Sequence, residues 1–248
     1  MPGAGSRNIG GRALAAGLAL ALALAASAAA AEPVDPARYR QFWLWGGVVP
    51  NAALRNAATI YVLQGRITAV HGHPVLTRQG AAPAALGTAE AYLVFRLETL
   101  AWDEGLVAGL RNIAAAWEHA GTRVAGIQLD FDARTPHLDD YVRFLGQVRR
   151  DLPERYRLSI TGLLDWSTGG APEAFEAMAG TVDEIVFQAY RGHRTIAHVD
   201  AYLGAVARTR LPFKIGLVEG GAWEPGAEAR LAASPYFRGA VVFLTTRR

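Results

Sequence analysis

Two aspartates, two residues apart, end one short apolar run. The stretch Gly126-Ile127-Gln128-Leu129-Asp130-Phe131-Asp132 alternates polar and apolar residues. In an extended strand alternate side chains point the same way. Gln128, Asp130 and Asp132 therefore share one face, and Ile127, Leu129 and Phe131 share the other. Carboxylates at the end of a buried strand cost desolvation energy unless partners compensate. Like charges this close raise one of the two pKa values. A carboxyl that keeps its proton near neutral pH suits general acid catalysis. The bland use of the same residues is structural, with Asp132 capping the next segment and Asp130 accepting loop N–H groups.

Other polar residues close other apolar runs. Arg96 and Glu98 end one, where they can pair with each other or with the two aspartates. An arginine beside Asp130 would hold that carboxylate ionised. Ser159 and Thr161 share a strand face with Asp165, which Trp166 follows. Gln188-Ala189-Tyr190 ends a further run, and Glu219 closes one just before Gly220-Gly221-Ala222-Trp223. Trp43 and Trp45 lie on the first run. An aromatic ring at a site mouth is a platform for the apolar face of a sugar, although core packing is the commoner use of tryptophan. His71-x-His73 places two imidazoles together, but no third ligand lies nearby and a zinc site needs at least three. No metal and no cofactor is expected. There is no Gly-x-Ser-x-Gly elbow, phosphate loop or dinucleotide fingerprint. With no cysteine, thiolate chemistry, disulfides and a cysteine-linked lipid anchor are excluded.

The elements that must position these groups alternate. Short runs rich in Val, Ile, Leu and aromatics at 42–49, 59–63, 91–97, 124–131, 157–164, 184–190, 213–218 and 240–245 read as strands. Between them, 103–120 carries Leu106, Leu110, Ile113 and Trp117 on one helical face, and 138–150 carries Tyr141, Phe144, Leu145 and Val148. Segments 196–207 and 227–233 are further helix candidates, and Pro172 can begin one. Strands alternating with helices imply a parallel sheet covered on its faces. Eight of them in one domain predict a single (β/α)8, TIM-type barrel with its site at the C-terminal ends of the strands. An open doubly wound sheet is the alternative. Residues 64–90 are dense in Gly and Pro, so this barrel is expected to be irregular between the second and third strands, with a small hairpin or long loop for a helix.

The N-terminus reads as a cleavable export signal over residues 1–31. Arg7 and Arg12 precede a wholly apolar run, and Ala29-Ala30-Ala31 offers the small residues a signal peptidase reads. A retained anchor is the rival reading. Cleavage leaves residues 32–248 as one domain, periplasmic or secreted, with no stable membrane anchor. Of 25 basic and 22 acidic residues, two of the basic ones sit in the signal. The remaining charge is close to neutral and gives no warrant for nucleic-acid binding.

The fourth strand resembles the signature strand of the chitinase-type glycoside hydrolases, Gly-x-Asp-x-Asp-x-Glu on a (β/α)8 barrel. Gly126 matches the glycine and Asp130 the middle Asp. Gln128 stands for the first Asp, and Asp132 for the catalytic Glu. Gln188-Ala189-Tyr190 is similar to that family's Met-x-Tyr segment, with Arg191 in place of the Asp that follows. Most of the mature chain resembles a family of secreted bacterial barrels catalogued as a domain of unknown function, sharing a Gln-x-Asp-Phe-Asp strand and a Ser-Ile-Thr strand. The first resemblance implies a glycoside hydrolase acting on an envelope or extracellular polysaccharide. Asp132 would be the general acid, Asp130 its electrostatic partner, and Tyr190 a positioning group. Gln128, Gln188, Arg96, Glu98, Asp165, Trp166, Glu219 and Trp45 are the candidate substrate contacts. Asp is one methylene shorter than Glu, which leaves a non-catalytic glycan-binding barrel as the alternative.

Overall fold

The computed structural model describes residues 31–46, 52–133, 137–168 and 172–245. Eight parallel strands lie along the chain: β1 (Gln41–Leu44), β2 (Thr59–Val70), β3 (Glu90–Leu97), β4 (Arg123–Asp130), β5 (Arg157–Leu163), β6 (Glu184–Gln188), β7 (Phe213–Val218) and β8 (Phe237–Phe243). Each pairs with its neighbour in sequence, and β8 pairs with β1 through Val242 opposite Phe42. That last pairing closes the sheet into a barrel, and the open-sheet alternative falls. Every expected strand lies on one of the eight. The export signal through residue 30, and residues 47–49 of the first expected strand, lie outside the described residues.

Among the described residues five α-helices connect the strands: α1 (Glu104–His119), α2 (Leu138–Asp151), α3 (Pro172–Met178), α4 (Asp200–Val206) and α5 (Pro225–Leu231). Asp103 starts α1, its carboxylate accepting the Leu106 N–H at 2.8 Å, as an N-cap should. The apolar stripe Leu106, Leu110, Ile113 and Trp117 then buries against the outer face of the sheet, where Ile127 and Leu129 lie. Each such side chain contributes about 1.5–3 kcal/mol on full burial. An aspartate at Leu110, which is fully buried, would open this layer.

Between β2 and β3 the helix is replaced by a hairpin. β2 overruns the barrel and folds back as an antiparallel strand, His73–Arg78. The two-residue turn is His71-Gly72, both with positive φ, 51° and 82°. Such a turn matches the twist of the flanking strands, and a histidine in that conformation is uncommon. Leu76 on the returning strand packs onto the core beside α1, covering what a helix would have covered.

A second apolar cluster fills the barrel itself: Trp43, Tyr61, Tyr92, Val94, Val186 and Val241. Glycines make room for it. A Cβ on Gly216 would lie 2.6 Å from the Trp43 ring, and one on Gly126 would lie 2.1 Å from the Arg157 carbonyl oxygen. Below the rings runs a buried polar chain. Trp43 Nε1 donates to Gln128 Oε1 at 2.6 Å, and Gln128 Nε2 donates to Ser159 Oγ at 2.9 Å. Ser159 Oγ donates to Glu184 Oε1 at 2.9 Å, as does the Tyr61 hydroxyl at 2.5 Å. Lys214 Nζ closes the chain, 2.8 Å from Glu184 Oε2 and donating to the Tyr61 hydroxyl at 2.7 Å.

Candidate functional site at the C-terminal mouth

A cleft of ≈ 750 Å³ opens where the strands end. Its polar wall comes from β3 and β4, with Arg96, Asp130 and Asp132, and from the end of β6, with Gln188 and Tyr190. Trp45 after β1, Phe243 on β8 and Asp165 after β5 complete it. Asp130, Asp132, Gln188 and Tyr190 thus converge, as the alternation along β4 and β6 predicts.

The two aspartates are unlike. Asp130 is buried. One of its oxygens, Oδ1, accepts the Thr161 hydroxyl at 2.8 Å and the Gln188 amide at 3.4 Å. Burial pushes its carboxyl up from the ordinary carboxylate range. The Thr161 hydrogen bond and the Arg96 charge pull it down without cancelling that effect, and Asp132 adds to the rise. Asp132 is the outer group, its side chain 63% exposed, with Arg96 Nη2 3.6 Å away. Of the two options for Arg96, the pair forms with β4 and not with Glu98.

Tyr190 stands beside both carboxyls. Burial first, and then the charges of Asp130 and Asp132, push its phenol far up, so it is a neutral donor. Its hydroxyl makes no hydrogen bond among the described residues. Its ring stacks on Phe243 at 5.6 Å and meets Trp43 edge-on at 6.2 Å. Trp45 meets Phe243 edge-on at 5.5 Å, and its buried indole N–H has no hydrogen-bond partner among the described residues. Aromatic rings and carboxyls therefore line one cleft together.

Four expected contacts do not reach the cleft. Gln128 is fully buried one layer below, held by Trp43 and Ser159. It is part of the barrel filling because β4 runs two residues further before it emerges. Glu98 pairs with Arg66 at 3.0 Å on the hairpin side. Trp166 is fully buried outside the barrel, its Nε1 donating to the Ala133 carbonyl at 2.9 Å. Glu219 accepts the Thr245 N–H at 2.9 Å, tying the end of β7 to the segment after β8. Trp223 is likewise core. Phe243, Arg191 and Tyr202 line the cleft but were not among the candidates. The inward alternation of Val241 and Phe243 on β8 is a signal for the first. Tyr202, on α4, had no signal in the sequence.

The barrel resembles solved structures at low identity. The xylanase-A-amylase inhibitor protein XAIP-III superposes with a TM-score of 0.54 at 14% identity, over 83% of this chain and 93% of that one. The xylanase-alpha-amylase inhibitor protein XAIP-I, solved with trehalose, gives 0.51 at 12% identity, over 82% and 92%. At these identities the likeness establishes the fold. No curated protein matches the chain. Residues 98–201, which run from the end of β3 to the start of α4 and include both aspartates, match a family described as a domain of unknown function, DUF3142.

Proposed function

We propose that the cleft takes an envelope or extracellular oligosaccharide and that the protein is a glycoside hydrolase. The observation that carries this is the meeting of Asp130, Asp132, Gln188 and Tyr190 in one open, aromatic-walled cleft at the strand ends. Sugar rings would lie against Tyr190, Phe243 and Trp45, with the Tyr190 hydroxyl and Gln188 amide orienting them. Asp132, the accessible carboxyl, gives its proton to the glycosidic oxygen as the bond from that oxygen to the anomeric carbon breaks. Water adds to that carbon and returns a proton to Asp132. Asp130, once ionised, lies behind the positive charge that develops on the ring. A fold neighbour solved with trehalose agrees with a sugar partner, and an exported chain would meet such polymers.

The test is release of reducing ends from a panel of bacterial and plant polysaccharides. Asp132→Asn should lower turnover about 10²–10⁴-fold, the usual contribution of a general acid, with binding kept. Full turnover by Asp132→Asn would sink the assignment. One observation favours the alternative of a glycan-binding barrel without catalysis: the Arg96 guanidinium lies 3.6 Å from Asp132 and so already engages the carboxyl that would have to reach the glycosidic oxygen. Binding by the wild-type protein with no reducing ends released would establish that second reading.

A further inference from the structure

The opposite mouth of the barrel holds a second cavity, ≈ 580 Å³, lined at the N-terminal ends of the strands by Arg40, Arg157, Lys214 and Arg238, with Tyr92 and Asp183 among its other walls. Its charges are unevenly matched. Asp183 is taken by Arg149 at 3.6 Å and by the Leu158 N–H at 2.7 Å. Glu184 is taken by Lys214, Tyr61 and Ser159. Glu90 is shared by Arg157 at 2.9 Å and Arg123 at 3.4 Å. Among the described residues, Arg40 and Arg238 meet no carboxylate. Their side chains donate only to backbone carbonyls, of Asn56 in one case and of Pro235 and Phe237 in the other. Four cations, Arg40, Arg157, Lys214 and Arg238, therefore line the cavity against two carboxylates, Asp183 and Glu184.

Lys214 marks its floor. It is the chain's only lysine and is buried. An ammonium carries three donors, and two are used by Glu184 and Tyr61. The third has no partner among the described residues. A buried charge normally has its hydrogen bonds filled, and arginine forks match phosphate and carboxylate geometry.

We infer that this N-terminal mouth binds an anionic ligand, a small molecule bearing a phosphate, sulfate or carboxylate group, held between Lys214 below and Arg40, Arg157 and Arg238 at the rim. The site is independent of the C-terminal cleft. The cavity has room for more than a bare oxyanion, and Tyr92 gives it an aromatic wall.

Isothermal titration calorimetry and thermal denaturation of the full chain would test this with four probes: inorganic phosphate, sulfate, a hexose phosphate and a hexuronate. The neutral hexose serves as control. At least one anion should bind and raise the melting temperature, more weakly as salt rises, while any binding of the neutral hexose, which the C-terminal cleft can take, should change neither with salt nor with the arginine variants below. Arg40→Gln and Arg238→Gln, exposed and remote from the barrel filling, should each weaken the preferred anion about tenfold. Asp132→Asn should leave that binding unchanged, which separates this site from the cleft above. No binding by any of the four anions, or anion binding left unchanged by both Arg40→Gln and Arg238→Gln, would overturn the inference. Whichever anion binds most tightly fixes the ligand class.

Discussion

Removing the ammonium of Lys214 should cost far more than removing an exposed charge at the same separation. Lys214 and Glu184 lie 2.8 Å apart with side chains 10% and 8% exposed. At that distance, in an effective dielectric of about 20, two unit charges attract by about 6 kcal/mol. Desolvating both groups offsets most of that, so the pair itself adds little. Lys214→Met removes one partner and leaves the Glu184 carboxylate buried with only the Tyr61 and Ser159 hydroxyls, a loss of about 3–5 kcal/mol. Adding Glu184→Gln removes the orphaned charge while keeping an acceptor for both hydroxyls. The double variant should therefore be more stable than Lys214→Met alone, with a coupling of about 2 kcal/mol between the sites. Arg38–Glu32 is the comparison, 3.2 Å apart but 59% exposed on each side, and Arg38→Gln should cost about 0–1 kcal/mol. Urea unfolding at neutral pH, followed by tryptophan fluorescence and circular dichroism, measures wild type, Lys214→Met, Glu184→Gln, the double variant and Arg38→Gln. A Lys214→Met variant within about 1 kcal/mol of wild type, or a double variant that simply adds the two single losses, would refute the reasoning.

Burial raises the folded-state pKa of Asp130 above its unfolded value of 3.8. The protonated form is thus favoured in the folded state, and this contribution is fully present below the unfolded value and lost as pH rises through the folded one. Asp130→Asn lacks that loss, so its stability relative to wild type should grow from acidic to neutral pH; a difference that shrinks with rising pH would contradict this. A methyl on Gly126 would sit 2.1 Å from the Arg157 carbonyl oxygen and 2.9 Å from the Tyr92 ring. Gly126→Ala should therefore cost about 3 kcal/mol or more through overpacking, read as a lowered melting temperature. Gly204 lies inside α4 with nothing within 4 Å of an added Cβ. Gly204→Ala should stabilise by about 0.4–1 kcal/mol, seen as a raised urea midpoint.

The alternation of polar and apolar residues on β4 was enough to place Asp130 and Asp132 on one face at a strand end, because strand period and barrel geometry are both local consequences of the chain. The same regularity gave eight strands and the α1 and α2 faces, and the Gly and Pro density of 64–90 foretold the break where the hairpin lies. Sequence could not tell depth along the barrel axis. Gln128 and Asp130 share a face, yet one is sealed against Trp43 and the other borders the cleft, a difference set by how far neighbouring strands extend. Nor could it tell which partner a long side chain selects among several within reach. Arg96 met Asp132 while Glu98 met Arg66, and Glu219 turned to Thr245. Trp166 looked like a mouth residue from its position after β5, but helix packing carried it outward into the core. The lone Lys214 is plain in the sequence. Its meaning, an ammonium held at the N-terminal end of the barrel by residues 30 and 153 positions away, comes only from strands distant in the chain closing into one ring.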